Sequence, residues 1–218
     1  MTDVAAFDFD GTLTNRGSVF AFLAAVAGPA AVVRAGTPLA PRLARAALAG
    51  GSAADETKED LFARTLAGVE EARLAAVAES FAREHLARHL RGEVADRLDW
   101  HRRRGDRLVV VSASPACYVR PAAQLLGVDE VIATELATAD GVLTGRYAGA
   151  NCRGPEKLRR LTEWLGGLDV TPERVWAYGN SRGDARMLAA ADVAVNVGRL
   201  GRLGRLGRYP GLGATTPE

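Results

Sequence analysis

The sequence is short of cysteine, lysine, aromatic residues and long apolar runs, and each shortage excludes something. Its two cysteines, Cys117 and Cys152, stand far apart and in no C-x-x-C pair. They form no disulfide framework and are expected to be ordinary buried or half-buried thiols. With no basic start and apolar core of a signal peptide over residues 1–15, the expected compartment is the cytoplasm. No apolar run reaches the ~20 residues that a membrane span needs. The longest, residues 19–33, is interrupted by Gly28 and Pro29, so no membrane span is expected. An excess of one charge is also missing: the formal net charge is +2, too little for an electrostatic footprint on nucleic acid. Of 28 basic residues only Lys58 and Lys157 are lysines. That ratio suits a GC-rich coding bias, and against it each lysine stands out.

What is present is apolar content, 48% of 218 residues, enough for one ample core or a core with a small accessory domain. Residues 4–9, 107–113, 130–134, 174–178 and 192–197 are short apolar runs, expected as strands covered on both faces. Helix-period segments over 116–126, 155–166 and 182–191 alternate with them. This is the pattern of an α/β fold with a doubly wound parallel sheet. An Asp-Gly turn predicts a small hairpin within 136–147. About 95 residues separate the first two strands, too many for one crossover helix. Helical periodicity over 19–35, 38–49, 55–66 and 70–91 predicts an inserted helical cap. The expected organisation is a core of residues 1–14 and 93–218 with a cap of residues 15–92.

Asp8 and Asp10 end the first strand. Ligands of open α/β sheets bind beyond the carboxyl ends of strands, and residues i and i+2 project to one side, so both carboxylates can serve one site. Two acids could simply cap a loop or pair with arginines. Like charges beside an apolar strand are costly, however, unless a cation or a proton separates them. A divalent cation is the expected compensation.

Four stretches follow in order: DFDGTLT at 8–14, VVVSASP at 109–115, GPEKLRRL at 154–161 and YGNSRGDARML at 178–188. Together they resemble the motifs of the haloacid dehalogenase superfamily, starting with its D-x-D-G-T signature. Within that superfamily the long insertion after the first motif and the S-A-S sequence of the VVVSASP motif are most similar to the phosphoserine-phosphatase-like branch, subfamily IB. The resemblance covers nearly the whole chain. It implies a Mg²⁺-dependent phosphatase acting on a small organic phosphate monoester, with Asp8 as nucleophile forming an aspartyl-phosphate and Asp10 as general acid and base. Ser112 and the main-chain N–H of Ala113 and Ser114, before a helix with Pro115 in its first turn, would hold phosphate oxygens. Lys157, in the first turn of a helix where a cation is locally disfavoured, would neutralise Asp8 and the phosphoryl group. Mg²⁺ would be held by Asp8, by the main chain at Asp10, and by Asn180 or Asp184. Asn180 departs from the pattern, since the family more often has aspartate there. A phosphotransferase, a lipid-phosphate phosphatase and a non-catalytic phosphate-binding domain are the alternatives.

In phosphoserine phosphatases a glutamate just after the first motif helps to recognise the amino acid; a gap-free match puts Gly17 there, which counts against phosphoserine. Phe20 and Phe22 with Arg16, Arg34, Arg42 and Arg45 could instead build a pocket for a larger, partly apolar phosphate, although apolar residues at helical spacing are usually just core. His85 and His89, amid Arg83, Glu84 and Arg88, are expected on a solvated helix face. The HRRR run at 101–104 suits a helix C-terminus. The Arg-Leu-Gly repeats of the tail, residues 198–213, are expected to be a loose end.

Overall fold

The computed structural model describes residues 2–42, 44, 52–128, 130–198 and 209–215. Five strands form a parallel sheet: β1 (Val4–Phe7), β2 (Arg107–Pro115), β3 (Glu130–Thr134), β6 (Val175–Gly179) and β7 (Val193–Asn196), in the order β3-β2-β1-β6-β7. The central strand is buried on both faces, which is why it reads as an unbroken apolar run. Val4 and Ala6 join the core cluster on one face while Ala5 and Phe7 join the cluster on the other, as the two-residue period of a strand requires. Helices α7 (Pro155–Gly166) and α8 (Ala185–Ala190) cover the first face, through Leu161, Met187 and Leu188. Helices α5 (Gly92–Arg104) and α6 (Ala116–Leu125) cover the second, through Val94, Leu98, Val119 and Ala122. Strand order reverses between β1 and β6, and a crevice at the carboxyl ends of these strands is where such sheets take ligands.

The long insertion is helical: α1 (Val19–Ala27), α2 (Pro29–Gly36), α3 (Ser52–Leu66) and α4 (Glu71–His89). The single helix expected over 19–35 is two. Gly28, at φ 87°, leaves helical space and Pro29 starts a new helix, with a bend of 117° between the two helical stretches. Among the described residues no single helix is long and apolar enough to cross a membrane. Most of the helix expected over 38–49 lies outside the described residues. Pro115 is the last residue of β2, so α6 starts one residue after it and not on it.

The hairpin is present as β4 (Leu136–Ala139) and β5 (Val142–Tyr147), and it packs on α3. Gly145 shows how close that contact is, for a Cβ there would stand 2.5 Å from Ala63 Cα. Main-chain bonds from Gly68 N to Leu143 O and from Leu143 N to Val69 O, at 2.9 and 2.8 Å, extend the hairpin onto the α3–α4 connection.

Packing overturns the expectation for His85 and, in part, that for the tail. His85 is buried among Phe9, Phe81 and His89, not on a solvated face, because α4 turns that side toward the core. The HRRR run does form the last turn of α5, closed by Gly105 at φ 75°, and there His101 points inward and bonds Asp106 Oδ2 at 2.7 Å and the Tyr178 hydroxyl at 2.8 Å. Residues 199–208 of the tail lie outside the described residues. Beyond them, Tyr209–Thr215 is docked: Asn196 N donates to Pro210 O at 2.9 Å, and Arg97 donates to the carbonyls of Leu212 and Thr215.

Candidate active site

A cavity of about 370 Å³ opens at the carboxyl ends of β1, β2 and β6, beneath α1 and α3. Asp8, Asp10, Ser112, Ala113, Lys157 and Asp184 all line it, so six of the seven expected site residues meet there. Asn180 does not line it. Its side chain rests against Gly11 and faces a second hollow shared with Arg16 and Arg91.

Just after β1 the chain turns sharply at Gly11, whose φ is 82°. A Cβ at Gly11 would lie 2.0 Å from Asn180 Nδ2, so the close approach demands glycine as much as the dihedral does. Gly11→Ala is expected to cost about 1–3 kcal/mol and lower Tm by several degrees. A melting curve superimposable on that of the parent would contradict this.

Lys157, on the first turn of α7 and 1% exposed, holds the centre together. Its ammonium donates to Asp8 Oδ1 at 2.7 Å and to Asp184 Oδ1 at 2.6 Å. Burial alone would lower its pKa, but the carboxylates of Asp184 and Asp8 outweigh that and hold it charged well above its ordinary range. One lysine does not neutralise two acids. Burial and the Asp184 charge raise the Asp8 carboxyl to about 7, against the pull of Lys157. Asp184 keeps the lower position: despite burial, Lys157 and the Ser181 donors hold it below the ordinary carboxylate range. Ser181 N and Oγ give it bonds of 2.9 and 2.8 Å, at the start of the 3₁₀ turn Arg182–Asp184 that precedes α8.

Asp10 is held separately. Ser18 N donates to its Oδ1 at 3.0 Å, while the hydroxyls of Ser18 and Ser114 reach Oδ2 at 2.9 and 2.6 Å. The Ser18 hydroxyl also meets the Tyr118 hydroxyl at 2.7 Å. Ser112 Oγ accepts from Ser114 N at 3.0 Å, so that N–H, expected to face an anion, is already engaged.

The donor set fits a hard divalent cation. Asp8, Asp10 and Asp184 bring three carboxylates, of which Asp8 and Asp184 share the ammonium of Lys157, and all the donors are oxygens, the ligands Mg²⁺ takes. The Thr12 hydroxyl lies 3.0 Å from Asp8 Oδ2 and 3.4 Å from Asn180 Oδ1, so those two oxygens converge. Among the described residues no three His, Cys, Asp or Glu side chains are grouped to hold a metal by themselves.

Several lining residues have no counterpart in the sequence reading. Lys58 on α3 donates to Ala113 O at 2.6 Å, and Asp55 Oδ1 accepts from Asn151 Nδ2 at 2.7 Å and lies 3.4 Å from Arg153 Nη1. The rarity of lysine was the signal for Lys58. Conversely, of the pocket expected from Phe20, Phe22 and four arginines, Phe20 alone among the described residues lines the cavity. Phe22 is in the core, Arg16 faces the second hollow, Arg34 is exposed, Arg42 pairs with Asp60, and Arg45 lies outside the described residues.

A parallel sheet with an acid pair beyond its central strand and a buried lysine bridging two carboxylates defines a hydrolase-type centre for an anionic substrate. The sequence model of the haloacid dehalogenase-like hydrolases matches residues 5–189, and the chain belongs to that family. It is 40% identical over 194 residues to protein CicA of Caulobacter vibrioides, covering 87% of this chain and 83% of that one. It is 32% identical over 189 residues to phosphoserine phosphatase SerB2 of Mycobacterium tuberculosis, covering 87% of this chain and 42% of the relative. Among solved structures, a protein of unknown function from Bordetella pertussis Tohama I superposes with a TM-score of 0.75 at 28% identity, over 90% of each chain.

Proposed function

We propose that the protein is a phosphatase that hydrolyses a small organic phosphate monoester through an aspartyl-phosphate on Asp8. The observation that carries this reading is the Asp8 carboxylate itself, buried at the cavity floor and bridged through Lys157 to Asp184 while Asp10 is held apart by its own donors. An Asp8 oxygen attacks phosphorus, the ester P–O bond breaks, and Asp10 gives its proton to the departing alkoxide. Water then yields a proton to Asp10 and attacks the phosphoenzyme, releasing inorganic phosphate and restoring Asp8. The Ser112 hydroxyl and the Ala113 N–H bind phosphoryl oxygens. Lys157 offsets the negative charge that accumulates as the phosphoryl group meets Asp8.

Asp8, the main-chain oxygen of Asp10 and the Asn180 amide oxygen would hold Mg²⁺, with Asp184 beside them. When bound, the ion supplies positive charge against the phosphoryl oxygens. Residues 1–14 and 93–218 form the catalytic core in this reading and 15–92 the cap. The name of SerB2 supports the activity, and the oxygen-rich centre supports the cation.

Acid quench of a single turnover with a ³²P-labelled aryl phosphate and Mg²⁺ should leave label on the peptide carrying Asp8. Label on another residue, or no phosphate release with Mg²⁺ present, overturns the proposal.

A further inference from the structure

Lys58 is the other lysine of the chain, and its surroundings differ from those of Lys157. It reaches from α3 into the roof of the cavity, where its ammonium has the neutral main-chain oxygen of Ala113 as its hydrogen-bond partner, at 2.6 Å. Among the described residues it makes no ion pair. The side chain is half-buried, with one side of it forming cavity wall. Protein surrounds the rest, and that burial lowers its pKa to about 8 against the attraction of Asp10 and Asp55. An ammonium has three donors, and one of them is used here.

Asp55, the acid about one turn back on the same helix that also lines the cavity, is already engaged by Asn151 and Arg153. At the cavity wall Gly17 offers no side chain, and a Cβ built there would meet nothing within 4 Å. The roof of the cavity therefore presents cationic charge without an acid in contact, beside the apolar surfaces of Phe20 and Leu61. A neutral or cationic leaving group would leave that ammonium, beside the Phe62 ring at 5.6 Å, with no anion in contact; an anionic one would accept a charge-assisted hydrogen bond.

We infer that the substrate carries a second anionic group in addition to its phosphate ester, and no ammonium, and that Lys58 binds this second group. This inference rests on the phosphatase reading of the same cavity and specifies its substrate class. The second anion is a carboxylate or another phosphate, and Lys58 is the residue that selects for it.

The test compares kcat/KM for phosphoglycolate, propanediol bisphosphate, ethyl phosphate and phosphoethanolamine, in the parent protein, Lys58→Met and Lys58→Arg. The parent should prefer the two doubly anionic esters over ethyl phosphate by about tenfold or more, with phosphoethanolamine poorest. Whichever of the two is favoured identifies the anion. Lys58→Met should abolish the preference, and Lys58→Arg, which keeps the charge, should retain it. Turnover without such a preference, or a preference that survives in Lys58→Met, overturns the Lys58 assignment and leaves the phosphatase reading standing.

No turnover of any ester would instead overturn the phosphatase reading. Calorimetric binding to the Asp8→Asn protein then decides the Lys58 assignment independently. Phosphoglycolate should bind about tenfold or more tightly than ethyl phosphate, and adding Lys58→Met should erase the difference. Equal affinities would refute it.

Discussion

Asp8→Asn is expected to lower kcat for aryl phosphate hydrolysis by about 10⁴-fold or more, and at the same time to make the metal-free protein more stable at pH 8. The first effect follows from removing the attacking oxygen while keeping the shape of the side chain. The second follows from the charge imbalance at Lys157, which serves two buried carboxylates. In the folded chain Asp8 keeps its proton up to about pH 7, whereas in the unfolded chain it loses it near the ordinary value of 3.8. Between those values the folded state binds more protons, so this group makes stability fall as pH rises, and the penalty is complete above pH 7. Asparagine carries no such penalty. In EDTA the variant should match the parent near pH 4 and melt several degrees higher at pH 8. A Tm difference that does not grow between those pH values would count against this account of Asp8, and full activity in the variant would remove it as nucleophile.

The second large effect is expected from Lys157→Met. Removing one partner of a buried ion pair costs ~3–5 kcal/mol because the remaining charge is left uncompensated, and here two carboxylates are left facing each other. For a chain of this size that is a fall in Tm of about 10 °C. Activity should disappear with it, since the negative charge at the centre would have no ammonium to oppose an incoming phosphate. Adding Asp184→Asn to Lys157→Met should recover part of the lost stability, because one of the two unpaired carboxylates is then gone. A double variant no more stable than Lys157→Met would show that repulsion is not the cause.

Much of the core could be read directly from residue pattern. Strands buried on both faces announce themselves as apolar runs, so β3 at 130–134 and the helix at 155–166 have the expected limits. Each of the four motifs lies at a strand end or a helix start, and a parallel sheet brings such ends together whatever the loop lengths. That is why Asp8, Asp10, Ser112, Lys157 and Asp184 share a cavity. The insertion was less legible for the converse reason. Periodicity indicates that a segment is helical but not which face another helix will cover. His85 was therefore misplaced, and the reach of Lys58 to Ala113, 55 positions along the chain, had no local signature. The donors around Asp10 were hidden in the same way: Ser18 and Ser114 resemble ordinary helix and loop serines until folding brings them to one carboxylate.

The seating of the β-hairpin on α3 has a mechanical consequence. Lys58 and Asp55 ride on α3, yet the Gly145–Ala63 contact and the bonds between residues 68–69 and Leu143 fasten that helix to chain from the far half of the sequence. Widening the mouth by lifting α3 must drag the hairpin along. The roof is thus tethered at two separated places like a drawbridge on paired chains, so α3 and the hairpin move as one piece as long as those main-chain bonds hold.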